Sequence, residues 1–204
     1  MQFEFTMTDA GSMLTGSSPD RLATLLEQLQ SALDASGAPT QLFRHGQSER
    51  LTIEKFDRAG LAPLDELIVW FGWHDGEEQN ANTHALPAGR MATSTNALLL
   101  EARAEEPGPL DWGAPRGWLP LVEHNAGLAA DCTVGTTQAA QLRNRAPEFY
   151  DEPFPYGRAV SLCTPVAWWL YALDSGALVW DQENGRWGGD ARKSHPSQIE
   201  AMFF

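Results

Sequence analysis

Apolar residues recur along this chain at helical spacing in four places. Leu22, Leu25, Leu26, Leu29 and Leu33 repeat every three or four residues, which puts them on one face of a helix. Ser18-Pro19-Asp20 opens that helix with an N-cap, a proline at the first helical position and an acid at the positive dipole end. Ser36-Gly37 closes it before Pro39. After Pro63, the positions Leu64, Leu67, Ile68, Trp70 and Phe71 predict a second helix to Trp73, with His74-Asp75-Gly76 as its C-terminal cap. A third helix is expected over residues 95–104, ended by Pro107-Gly108-Pro109. Thr164-Pro165 repeats the pairing of cap and first position, and Val166, Trp169, Leu170 and Leu173 follow at helical spacing up to Asp174-Ser175-Gly176. Trp, Tyr and Val also favour strands; helix is preferred because caps and spacing agree.

Other stretches alternate or break. Phe3, Phe5 and Met7 share one side of residues 2–7, a short strand at a sheet edge, and the Gly- and Ser-rich residues 8–18 read as a loop. Apolar runs at 118–122 and 128–134 flank His124-Asn125-Ala126-Gly127, which predicts a β-hairpin. Pro120 cannot donate to a ladder, so its run lies at a sheet edge or at a bulge. Residues 41–56 fit a strand or a short helix, and residues 77–90 read as loop. Residues 135–157, with Pro147, Pro153 and Pro155, are an insertion or long loop that could hold a helical turn over 138–143. A short strand over 177–180 leads to a turn at Glu183-Asn184-Gly185. Residues 188–204 form a tail whose Ile199, Met202, Phe203 and Phe204 suggest that it docks on the body. Together these elements predict one α+β domain over residues 1–204, with its core at about 18–181 and a mostly antiparallel sheet packed with helices.

Charge narrows the field of partners. With 14 Lys plus Arg against 27 Asp plus Glu, the net charge is −13. Such a surface repels phosphate backbones and anionic lipid and attracts basic proteins. Nucleic acid and membrane are therefore not expected as partners. The N-terminus lacks a secretory signal, and no segment approaches about 20 apolar residues, so a cytoplasmic protein is expected. Cys132 and Cys163 lie outside any CxxC spacing, and two reduced thiols are read in preference to a single bridge.

Three pieces of the chain, in order, resemble the SUKH superfamily, the group of the yeast cell-wall-assembly regulator domain and of many bacterial immunity proteins. Trp70-Phe71-Gly72-Trp73-His74-Asp75-Gly76 is similar to the family's helix-ending aromatic and Trp-His-Asp-Gly signature. Trp118-Leu119-Pro120-Leu121 is similar to its Trp-Leu-Pro strand, with Gly127 and Asp131 following. Ser161-Leu162 stands where the family begins its late helix. The resemblance spans about residues 20–180 and departs from the family pattern at Gly127-Leu128, where Gly-Asp is usual, and in the longer 135–157 connection. It implies a SUKH-like fold in which Trp73, Gly76, Trp118, Pro120, Gly127 and Asp131 are structural. It also implies a non-enzymatic bacterial immunity protein that binds a cognate toxin, or a regulatory or scaffold domain.

Catalytic chemistry has a thinner basis. His74-Asp75 could form an acid–base pair, with His124 as a third member in a small hydrolase or carbohydrate-binding protein. Adjacent residues usually point apart, however, and no spacing suits zinc, a nucleophile elbow or a phosphate loop. No metal or cofactor is expected. Of the eight Trp, Trp70, Trp73, Trp118 and Trp169 read as core, whereas Trp112, Trp180 and Trp187 lie beside loops. Acidic residues cluster at 75–78, 101–106 and 148–152. The expected contacts with a basic toxin are Asp75, Glu77, Glu78, Glu123, Asp151 and Glu152, joined by Trp112 and Trp187.

Overall fold

The computed structural model describes residues 2–8, 11–61, 63–78, 83–87, 89–102, 118–123, 128–135, 140–144 and 159–196. The first half of the chain contains β1 (Phe5–Thr8), β2 (Gly11–Leu14), α1 (Pro19–Ser36), β3 (Phe43–His45), α2 (Glu49–Ala59), α3 (Asp65–Trp73), β4 (His74–Glu77), β5 (Arg90–Met91) and α4 (Ser94–Ala102). Then follow β6 (Trp118–Glu123), β7 (Leu128–Gly135), β8 (Ala140–Asn144), β9 (Ala159–Val160), α5 (Cys163–Ser175), β10 (Val179–Asp181) and β11 (Arg186–Gly188). Among the described residues, seven strands form one sheet in the order β1-β2-β9-β8-β7-β6-β5. Every pairing in it is antiparallel except β2 with β9, and β3–β4 and β10–β11 are separate two-stranded pairs. The fold is mixed α+β with a mostly antiparallel sheet.

α1 follows its sequence closely. The Ser18 hydroxyl accepts the Arg21 N–H, Gly37 ends the helix at φ 78°, and the five leucines are buried. α5 is of another kind: all its residues from Cys163 to Leu170 are buried, including Trp168 and Trp169, so it runs through the core beside α1. Residues 41–56 resolve into β3 and α2, the latter capped by Ser48.

Four sequence expectations change. Residues 11–14, read as loop, form β2, because β1 on one side and β9 on the other satisfy its backbone. The helical turn expected over 138–143 is instead β8, paired with β7 and β9. α5 begins at Cys163, and Thr164 is not its cap: the Thr164 hydroxyl accepts the Leu14 N–H at 3.0 Å and donates to the Val160 carbonyl. Gly76 supplies no left-handed cap for α3 either; the C-cap is His74, whose N–H bonds the Trp70 carbonyl. His74 leaves that helix in an extended conformation, φ −145°, and the chain enters β4 directly. For Pro120 the bulge reading holds, since the β6–β7 register shifts between Pro120 and Val122. The edges of the sheet are β5 and, as the sequence predicts for residues 2–7, β1.

Candidate functional site

Three of the six expected acidic contacts, Asp75, Glu77 and Glu78, lie on or beside β4, and the first two are used within the fold. Glu77 is 1 % exposed. Its carboxylate accepts the N–H groups of Ala85 and Met91, each at 3.2 Å, and of Leu86. Burial raises its pKa to about 7, against the pull of these amides and of Arg90. Glu77 is therefore no surface contact, which corrects the sequence reading: a segment with too few ladder bonds of its own draws the carboxylate inward.

Asp75 is mostly covered too. It accepts the Ser94 N–H at 2.7 Å at the start of α4, is bonded by Gln47, and pairs with Lys55 at 3.8 Å. Lys55 donates to the Ser94 hydroxyl at 2.8 Å, and since Ser94 is completely buried this contact joins α2 to α4. Between Asp75 and Glu77, Gly76 has φ 86°, and a Cβ there would lie 2.6–2.8 Å from Thr93. Only glycine fits this crossing.

His74 turns away from Asp75. Its ring nitrogens bond the Arg44 carbonyl at 3.0 Å and the Gln30 side chain at 2.8 Å, and the ring stacks on Phe43. Burial lowers its pKa, the reverse of a histidine charged at a helix end. Adjacent in sequence, the two residues thus serve different elements, and no His74–Asp75 acid–base pair forms.

Of the remaining expected contacts, Glu78 is exposed and pairs with Arg44 at 3.3 Å, whereas Glu123 is mostly covered and paired with Arg90. Trp187 is half-buried, donates to the His84 carbonyl at 3.2 Å and meets Trp180 edge-on. Trp73 packs on Phe43, His74 and Trp70; Trp118 is half-buried opposite Asp131, which is itself buried. Trp112, His124, Gly127, Asp151 and Glu152 lie outside the described residues, as do the apolar residues of the tail.

Two features escaped the sequence reading. Glu66 on α3 is fully buried, bonds the Ser161 hydroxyl and accepts the Leu162 N–H at 2.9 Å, so one helix caps the start of another. Ser161 sits there at φ 71°. The second is the outer face of α1, where Asp20, Glu27 and Asp34 stand exposed at seven-residue intervals and Arg21 is the helix's single basic residue. Seven residues are nearly two full turns, so these carboxylates form one stripe. That spacing was readable in the sequence; the reach of Glu66 across 96 residues was not.

Cys132 and Cys163 form no disulfide, and burial raises the pKa of Cys163, which does not favour a reactive thiolate. Among the described residues no cluster of His, Cys, Asp and Glu could hold a metal ion, and no helix is long and apolar enough to cross a membrane. No family model and no curated protein matches the chain.

Proposed function

We propose that this chain is a non-enzymatic binding protein of the SUKH type that neutralises a cognate basic toxin by direct contact, as a bacterial immunity protein. The observation that carries the reading is the stripe of Asp20, Glu27 and Asp34 on the outer face of α1, in a chain of net charge −13. A one-signed face of this kind accelerates encounter with a basic partner and disfavours acidic ones, while apolar contacts supply most of the affinity. The three-part motif resemblance supports the same reading, with steric occlusion of the toxin as the means.

The test is to recover the partner from the protein's own cells and measure its affinity for wild type and for Asp20→Lys/Glu27→Lys at several salt concentrations. A basic toxin domain in equimolar complex is expected, and the double reversal should weaken it by about tenfold or more and flatten the salt dependence. Unchanged affinity and salt dependence would remove α1 from the interface. Recovery of a component of the cell's own wall-assembly or regulatory machinery would replace immunity with the scaffold reading.

A further inference from the structure

Both ring nitrogens of His74 face an oxygen. Nδ1 lies 3.0 Å from the Arg44 carbonyl, and Nε2 lies 2.8 Å from the side-chain oxygen of Gln30. A neutral imidazole has one N–H and one lone pair and satisfies only one of these oxygens, whereas the imidazolium donates to both. The Arg44 carbonyl belongs to β3 and is fixed by the backbone. Gln30 ends in an amide, whose oxygen and NH2 group change places by half a turn. That amide is also held from its other side. Its NH2 group donates to the Asp34 carboxylate at 3.1 Å, about one turn further along α1, and the same carboxylate oxygen accepts the Thr40 hydroxyl.

The half-buried His74 and Gln30 and the exposed Asp34 therefore form one relay that ends on the outer face of α1. Oxygen toward His74 and nitrogen toward Asp34 is the arrangement that fits the imidazolium. Around the neutral ring, Nδ1 keeps its N–H on Arg44, Nε2 presents a lone pair, and the Gln30 NH2 group turns to meet it. The Gln30 oxygen then faces a carboxylate, two acceptors with no hydrogen between them, and Asp34 is released from Gln30. Burial is the strongest influence on the ring and disfavours its charge, so the imidazolium belongs to acid. Charged neighbours come from three elements. On β3, His45 opposes a charge on His74, and Arg44 is paired with Glu78. On α1, Asp34 favours that charge, and Glu27 precedes Gln30 by three residues. On β4, Asp75 and Glu77 are taken up by Ser94 and by backbone amides. Phe43 and Trp73, which pack on the ring, are uncharged.

We infer that His74, Gln30 and Asp34 form a proton-operated amide switch: a proton taken up at His74 turns Gln30, ties Asp34 to the Gln30 amide and sets a positive charge behind the acidic stripe of α1. The inference rests on the reading of α1 as the face that meets a basic partner and supplies its regulation. Acid damps the stripe at Asp34 and loosens the partner; neutral pH frees the carboxylate and restores the hold.

The switch is tested on the full chain alone, by NMR titration of the His74 ring nitrogens and the Gln30 side-chain amide from about pH 8 to about pH 5. The two are expected to move with one shared midpoint. In Gln30→Met, close in size but without a hydrogen-bonding amide, the His74 midpoint should fall, because the second ring N–H loses its acceptor. Separate midpoints for His74 and Gln30, or a His74 midpoint unchanged in Gln30→Met, overturn the switch. Its effect on the stripe is read with a lysine decapeptide as the basic probe. Acid should weaken binding to wild type about threefold more than binding to His74→Gln, which cannot take up the proton. An equal acid response in the two chains, with the same circular dichroism spectrum, overturns the regulation. The NMR outcomes need no partner, so their failure leaves the basic-partner reading to the α1 charge reversals. Where those reversals leave the recovered complex unchanged, the regulatory role falls even if the shared midpoint holds.

Discussion

Glu77 on β4 and Glu27 on α1 are the same side chain in opposite settings. The first is 1 % exposed and takes backbone N–H groups from the segment after its strand; the second stands in solvent, in a row with Asp20 and Asp34. Near β4 the chain is short of regular ladder, and orphan amides draw carboxylates inward. On α1 the backbone is satisfied by the helix itself, so its acids stand in solvent, Asp34 while also accepting from the Gln30 and Thr40 side chains. Composition counts both groups alike, but only the second adds to the field that a partner meets.

The sharpest way to break the contrast is to remove an inward carboxylate. Glu66→Ala strands the Leu162 N–H and the Ser161 hydroxyl, both buried, and should cost about 3 kcal/mol in urea denaturation. A loss under about 0.5 kcal/mol would show that the α5 start does not depend on it.

Glu77 gives a pH signature of comparable size. Its folded pKa is raised from 4.5 to about 7, so between these values the folded chain holds more protons at this site than the unfolded one. Stability from this group is therefore present below pH 4.5 and is lost as pH rises toward 7, a swing of about 3 kcal/mol. Glu77→Gln, which mimics the protonated acid, should remove that slope, as read from denaturation midpoints across the range. His74 acts in the opposite sense: its pKa lies below 6.5 in the fold, so it weakens the structure as pH falls beneath that value. A Gln variant whose stability still declines from pH 4.5 to 7 as steeply as wild type would refute the assignment.

The smallest effect is expected on the outward acids. Asp20→Lys/Glu27→Lys should lower the melting temperature by no more than about 4 °C, chiefly through the loss of Asp20 at the positive dipole end of α1, so a large loss of partner affinity reports the surface. A shift as large as that of Glu66→Ala would mean that the stripe is structural too.

Legibility in the sequence followed the range of the interactions. α1, α3, α4 and the β6–β7 hairpin were readable because caps, leucine spacing and turn residues act within a few positions. β2 was not, since Gly11-Ser12 carries no strand signal and is held by β1 and by β9, far along the chain. The start of α5 lies two residues before the expected one, because the oxygens that take its first amides come from Ser161 and from Glu66 on another helix. Among the expected contacts, Glu78 is exposed and paired with Arg44, whereas Asp75, Glu77 and Glu123 are occupied by Ser94, by backbone amides and by Arg90. An acidic run in a loop does not reveal which of its members a neighbouring backbone will claim.

The one parallel pairing in the large sheet also sets an order of events. β2 lies against β9, and the Leu14 amide bonds the Thr164 hydroxyl across 150 residues of chain. Contacts of that separation carry a large loop-closure cost and form slowly. The β1–β2 hairpin therefore waits for its place in the sheet while the 150 residues up to Thr164 are synthesised. Until Thr164 arrives, β2 has β1 on one side and no strand on the other.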